Sequence, residues 1–198
     1  SDNLWQRAAS AIMTTDTFPK GITRTATSGA EQVTLNGFIK GSGMIAPDMA
    51  TMLGYVFTDA RVPAAIMQAW LDDDVRISYN CMTVDSDTST SDTILCFATG
   101  KKDHWEITDP DDPAWTDFRQ KFREIHVELA KLVAKDGEGI SKFITIRVSG
   151  AEHDAAARHI GLSIGKSPLV TCAIAGEDPN WGRVIMAVGK TGEQASRE

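Results

Sequence analysis

The sequence predicts an α/β chain of the layered α+β kind, with sheets packed against helices. Three observations predict it. Residues 116–135 carry Phe118, Phe122, Ile125, Leu129, Leu132 and Val133 at steps of four, three, four, three and one, the stripe of an amphipathic helix. Residues 142–149 alternate Phe143, Thr145 and Arg147 with Ile144, Ile146 and Val148, the period of a strand. The run MLGYVFT at 52–58 is short, apolar and bounded, as a buried strand is. Helical and strand patterns are interleaved along the chain, which is the mark of a mixed class.

The elements follow in order. Residues 3–12 set Leu4, Trp5, Ala8, Ala9 and Ile12 on one helical face. Thr14 to Gly21 read as a polar turn closed by Pro19 and Gly21. Residues 31–39 suggest a bent strand or strand pair, with Val33 and Leu35 alternating before Asn36-Gly37, a tight-turn dipeptide. A glycine-rich loop leads into the apolar run, and a helix over 63–72 opens on Pro63, where a missing N–H costs least. Residues 79–85 look strand-like. The polar run Asp85 to Asp92 is expected to open a helix over 89–99, with acidic residues near its positive end. Residues 103–117 read as an acidic surface loop. After the helix ending at Gly137 and Gly139 come a strand at 142–149, a helix at 153–164, a strand at 168–174 and a helix at 180–189.

Composition narrows the function. The chain has 198 residues, enough to bury a core. A net charge of -7 predicts an acidic surface and argues against nucleic-acid binding, which needs a clustered basic face. The densest basic stretch, Arg119 to Arg123, alternates with apolar residues and reads as the wet side of a helix. No stretch approaches eighteen apolar residues, so no membrane span is expected. The first residues carry no signal-peptide pattern. Cys81, Cys96 and Cys172 are odd in number and widely spaced, so neither a disulfide framework nor a zinc site is expected. Buried, reduced thiols in a cytoplasmic protein are the better reading. The histidines show no metal-ligand spacing.

The chemistry concentrates in KGSGMIAPDMATML at 40–53. Gly41 and Gly43 let the backbone bend and approach other groups. Pro47 fixes the chain direction ahead of Ala50 and Thr51. A flexible loop thus enters an apolar strand at a hydroxyl residue, preceded by a small one. That arrangement suits a side-chain oxygen attacking its own preceding carbonyl. Taken alone, the same residues also describe a tight loop feeding a buried strand, with Thr51 simply β-branched and at home there.

The segment does not stand alone. It resembles the signature of the ornithine acetyltransferase family, the bifunctional glutamate N-acetyltransferases of arginine biosynthesis. AIMTTDTFPK at 11–20, TVDSDTSTSDT at 83–93, KDGEGISKFITIRVSGA at 135–151 and EDPNWGRVIMAVGKTG at 177–192 resemble further family motifs, in family order. The resemblance implies that the precursor cuts itself between Ala50 and Thr51. Residues 1–50 then close an α chain, and 51–198 open a β chain whose Thr51 carries the acetyl group. Thr14, Lys40 and Glu138 match substrate-binding positions, Glu138 meeting the amino group of ornithine. Without the family, Thr14 reads as a turn hydroxyl, Lys40 as a solvated lysine and Glu138 as an exposed loop carboxylate. Asp85, Asp87 and Asp92 lack the glycine and glutamate of a calcium loop. Asn180-Trp181-Gly182-Arg183 is assigned to packing.

The implied reaction is acetyl transfer from N-acetylornithine to glutamate through a threonine acetyl-enzyme, without metal or dissociable cofactor. Some members also use acetyl-CoA as a co-substrate, and no residue here decides between them. The implied partners are small-molecule substrates and the other half of the precursor, in a hetero-tetramer of α and β chains. The family's oxyanion donors, a threonine-glycine pair upstream of the TTD motif, are absent, and so is a C-terminal stretch. About half the usual length is present, so this stretch alone is expected to be nearly inactive. Two other readings compete: a self-processing aminopeptidase or amidase with a related nucleophile, and an inactive truncated homologue serving as a binding module.

Overall fold

A computed structural model describes residues 2–28, 31–46, 52–102 and 108–195. Helix α1 (Asp2–Ala11) leads into the antiparallel strands β1 (Lys20–Ser28), β2 (Glu31–Lys40) and β3 (Leu53–Thr58). Helix α2 (Ala64–Ile77) then carries the chain to β4 (Thr93–Ala98), which pairs parallel to β3. The sheet order is β1-β2-β3-β4. The long helix α3 (Thr116–Ala134) lies across β1 and β2. Three shorter helices follow: α4 (Asp154–Gly165), α5 (Pro168–Ala175) and α6 (Trp181–Gly189).

The core forms where two periodicities meet. Val33, Leu35 and Ile39 of β2 and Val56 of β3 face Phe118, Phe122, Ile125, Leu129 and Val133 of α3, and all are buried. Asn36-Gly37 is therefore not a turn: β2 runs straight through it, with Gly37 opposite Ile22 on one side and Val56 on the other. A Cβ at Gly37 would lie 2.9 Å from Leu129 Cδ1 and 3.0 Å from Ile125 Cγ2. The glycine lets α3 sit close on the sheet, a demand invisible in a local dipeptide. Gly37→Val is expected to cost about 1–3 kcal/mol by overpacking, read as a lower urea midpoint with unchanged slope.

The opposite sheet face is aromatic. Phe38, Tyr55, Phe57 and Phe97 stack across the strands, and Trp5 of α1 packs on Phe57 at 5.2 Å between centroids. A second, smaller core gathers Ile160, Ile164, Val170 and Ala187 from α4, α5 and α6, with Ile146 and Val148 against it.

Several expectations are corrected. Residues 20–28 are a strand rather than the end of a turn, with Ile22 and Ala26 facing inward between exposed threonines. Residues 79–81 form a 3₁₀ turn, not a strand. Residues 93–98 are β4, not a helix: their β-branched and aromatic content decides against the capping signal before them. Residues 168–175 are a helix, started by Pro168 after Ser167, because a short apolar run does not reveal its own period. Residues 142–149 are not a strand: they have no regular secondary structure, and no described strand pairs with them. Of the alternating apolar residues, Ile146 and Val148 pack on the second core while Ile144 stays exposed, so the period of two arises without a neighbouring strand. In the expected loop at 103–117, residues 103–107 lie outside the described residues. Pro113–Trp115 form a 3₁₀ turn, and Trp115 is fully buried.

The charges and thiols also differ from expectation. Arg119 and Arg123 converge on the buried carboxylate of Asp74 instead of simply facing water. Cys81 and Cys172 are exposed. Cys96 is partly buried, and burial pushes its thiol up to about 12. Trp181 is 75% exposed, so it packs on little among the described residues.

Candidate functional site

The glycine loop leaves the sheet where β2 ends. Lys40, the last residue of β2, stands opposite Leu53, the first of β3. Gly41 to Ala46 follow without regular secondary structure, and Met52 precedes the first residue of β3. Ala50 and Thr51, the residues of the expected cleavage, lie in 47–51, outside the described residues. Both flanks of that segment are described, and they are held from several directions.

The first hold is a buried charge cluster between α1 and β1. Lys20 is fully buried and pairs with Asp16 at 2.5 Å and with Asp136. Asp16 Oδ1 also accepts the N–H of Gly41 at 2.9 Å, while its Oδ2 accepts the N–H of Thr14 at 3.1 Å. Burial alone would raise the Asp16 carboxyl. The donors of Gly41, Lys20 and Thr14 outweigh it and hold the group below its ordinary value. Asp136 is held low in the same way by Lys20 and Thr17. Asp16 therefore ties the exposed Thr14 to the start of the glycine loop.

The second hold comes from the end of α3. Ser42 Oγ donates to the Asp136 carbonyl at 2.5 Å, and the Glu138 N–H donates to the Ser42 carbonyl at 2.7 Å. The Glu138 carboxylate lies over Gly43, where a Cβ would come within 2.9–3.0 Å of its carbon and both oxygens. A side chain at 43 would push that flexible carboxylate aside, so glycine there leaves room for it. Glu138 is exposed, as a loop carboxylate would be, but it is anchored at its backbone.

The third hold is the loop ahead of β4. Asp92 Oδ1 accepts the Met52 N–H at 2.6 Å, and the Thr93 N–H donates to the Met52 carbonyl at 2.9 Å. Burial pushes the Asp92 carboxyl up to about 6, against the Met52 hydrogen bond and the nearby charge of Lys40, which both pull it down. Lys40 is only 7% exposed, so it is no solvated lysine. Its charge acts on Asp92, the carboxylate that holds the Met52 N–H.

Thr14, Lys40 and Glu138, far apart in sequence, are thus gathered around one loop. Asp16, Lys20, Asp85, Asp92 and Asp136, which make that gathering possible, were not singled out by sequence reasoning as site residues. In local sequence Asp85 and Asp92 look like helix-opening charges. They bind backbone N–H groups of the glycine loop and of Met52 instead. The only available signal was the pairing of two buried aspartates with a buried lysine, and burial is not written in local sequence. Among the described residues no group of side chains could hold a metal ion, and no helix is long and apolar enough to cross a membrane.

A four-stranded mixed sheet packed with helices, with a glycine loop braced by buried carboxylates between its two central strands, defines a layered α/β protein rather than a binding repeat or a fibre. The ArgJ family model matches residues 1–198, and the chain belongs to the ArgJ family. The arginine biosynthesis bifunctional protein ArgJ of Agrobacterium fabrum is 54% identical over 199 residues, covering 99% of this chain and 48% of that protein. That of Gluconobacter oxydans is 52% identical over 197 residues, covering 100% and 46%. The chain spans about half the length of the curated relatives it matches. The crystal structure of the arginine biosynthesis bifunctional protein from Bacillus halodurans superposes with a TM-score of 0.69 at 37% identity, covering 73% of this chain and 67% of that one.

Proposed function

We propose that this chain carries the nucleophile-bearing part of an acetyltransferase of arginine biosynthesis, which moves an acetyl group from N-acetylornithine to glutamate. Family membership makes arginine biosynthesis the setting. The observation that carries the finer reading is the convergence of Thr14, Lys40 and Glu138 on the loop that leads to residue 51.

In this reading the Thr51 hydroxyl attacks the Ala50 carbonyl carbon. The C–N bond breaks as the C–O bond forms, and the hydroxyl proton passes to the departing amine. Water then hydrolyses the ester, leaving an Ala50 carboxylate, a free Thr51 hydroxyl and a free α-amine. Residues 1–50 and 51–198 become parts of two chains, which pair and associate further. An α-amine has a reference pKa of about 7.7–8.0, against about 10.4 for lysine, so it serves as base for its own hydroxyl near neutral pH. Thr51 takes the acetyl group, ornithine leaves, and glutamate accepts the group in turn. Thr14 and Lys40 contact substrate and Glu138 faces the ornithine amine. No dissociable cofactor takes part, though acetyl-CoA can stand as a second donor, and the setting is the cytoplasm.

The test uses the full chain as its gene encodes it. N-acetylornithine is supplied with and without glutamate. Formation of N-acetylglutamate that depends on glutamate is expected. Free acetate at the same rate without glutamate would identify a hydrolase instead, and no turnover of an intact, folded chain would point to a binding module.

A further inference from the structure

The acidic stretch Thr83 to Thr93 has no place in the reaction described above, yet it touches the glycine loop at two places that bracket residues 47–51. On the upstream side, Asp85 accepts the N–H of Met44 and, at 3.0 Å, the N–H of Ile45. The Ile45 carbonyl in turn receives the Val84 N–H at 2.8 Å and the Thr83 hydroxyl at 3.0 Å. On the downstream side, Asp92 and Thr93 take both backbone groups of Met52, at 2.6 and 2.9 Å. One continuous loop therefore grips the chain before and after the segment that contains the proposed cleavage bond.

The grip works against a backbone preference. Met44 has φ of 56°, in the left-handed region that a side chain with a Cβ rarely adopts. Such a residue persists only where its surroundings over-determine it. Here a carboxylate collects the N–H groups of Met44 and its successor, and the Ile45 carbonyl is doubly bonded. The gripping loop is itself braced: the Asp87 N–H donates back to Asp85 at 3.1 Å and the Ser86 N–H to the Thr83 hydroxyl at 3.1 Å.

We propose that the Thr83–Thr93 loop is a positioning clamp for self-cleavage, with Asp85 fixing the backbone that enters the Ala50–Thr51 segment and Asp92 fixing the backbone that leaves it. An acyl shift onto a neighbouring hydroxyl is limited by how often that hydroxyl lies at attack distance from the carbonyl carbon. Pinning both ends of a short segment raises that fraction without any group touching the reacting atoms. The carboxylates act as hydrogen-bond acceptors, so the position of their oxygens matters more than their charge. The inference rests on cleavage at Ala50–Thr51 as proposed above.

The test follows the full chain by intact mass, recording the fraction split against time after refolding. Asp85→Ala and Asp92→Ala are expected to split about 10- to 100-fold more slowly, the scale of losing one hydrogen bond to a charged acceptor. Asp92→Asn keeps an oxygen in the same place and is expected to restore most of the rate. Asp92→Glu keeps the charge but displaces the oxygens, and is expected to stay slow. It also carries the test if an alanine variant fails to fold. Glu128→Ala, a partly exposed change on α3 whose only described ion pair is with Lys131 on the same helix, is expected to split like wild type. Wild-type rates in Asp85→Ala and Asp92→Ala would overturn the clamp. So would an Asp92→Glu variant faster than Asp92→Asn. An unsplit wild-type chain would overturn the cleavage reading itself, a different and separately visible result.

Discussion

Lys20→Met is expected to lose about 3–5 kcal/mol of folding stability at neutral pH, the usual cost of removing one partner from a buried ion cluster. Methionine fills much the same space, so the loss is electrostatic. The Asp16 and Asp136 side chains are 0% and 2% exposed, and among the described residues only Lys20 brings a full positive charge to both. The N–H groups of Gly41, Thr14 and Thr17 remain, but they are dipoles rather than ions. The pH dependence identifies the cause. In the wild type both carboxyls are held below their ordinary value, so they favour the fold above about pH 4 and lose that contribution as pH falls through their lowered values. In the variant, burial prevails and raises both groups above their unfolded values. Its stability is then fullest below about pH 4 and is lost as pH rises through the raised values. The gap between the two proteins should therefore narrow as pH is lowered from 7 toward 4. Urea unfolding at several pH values measures it. A gap that stays constant with pH would mean that packing, not charge, links Lys20 to the fold.

That cluster also marks the boundary of what the sequence discloses. The helix α3 was legible because its stripe of Phe118, Phe122, Ile125, Leu129 and Val133 is long enough for the period to declare itself. The strand MLGYVFT and the helices at 154–165 and 181–189 were legible for related reasons, each bounded by turn residues. Asn36-Gly37 misleads because the same dipeptide that makes a hairpin also makes room for a helix, and only the packing partner distinguishes them. Likewise Pro168–Ala175 is too short for its apolar residues to separate period two from period 3.6. In the site, Thr14, Lys40 and Glu138 were reached through motif resemblance, and their spacing alone would have left them bland. Lys40 illustrates the difficulty: a lysine at the end of a strand is ordinarily wet, and this one is buried beside Asp92. Asp16, Lys20 and Asp136 escaped notice because a long-range ion cluster leaves no local pattern. Each member looks like a turn or loop charge until the fold closes over 116 residues of separation between Lys20 and Asp136.

Thr51→Ala should leave the full chain uncut and lower acetyl transfer at least about 10,000-fold, because one change removes two groups at once. Alanine has no hydroxyl to attack the Ala50 carbonyl, so no break forms. With no break, the nitrogen of residue 51 stays an amide, which cannot act as a base. The two losses can be separated. A chain assembled from two pieces, the second beginning with alanine at 51, regains the amine but not the nucleophile and should stay inactive. The same assembly beginning with serine regains both and should transfer acetyl groups, more slowly if the threonine methyl helps hold the rotamer. In the uncut protein, Thr51→Ser should still split. Mass spectra at the Ala50–Thr51 junction and initial rates of N-acetylglutamate formation report the two steps independently. Wild-type turnover by the uncut alanine variant would show that the hydroxyl at 51 is not the acetyl carrier. Since Lys40, Glu138 and the Asp16 link all gather around the loop leading to that residue, it would also mean that the gathering serves some other chemistry.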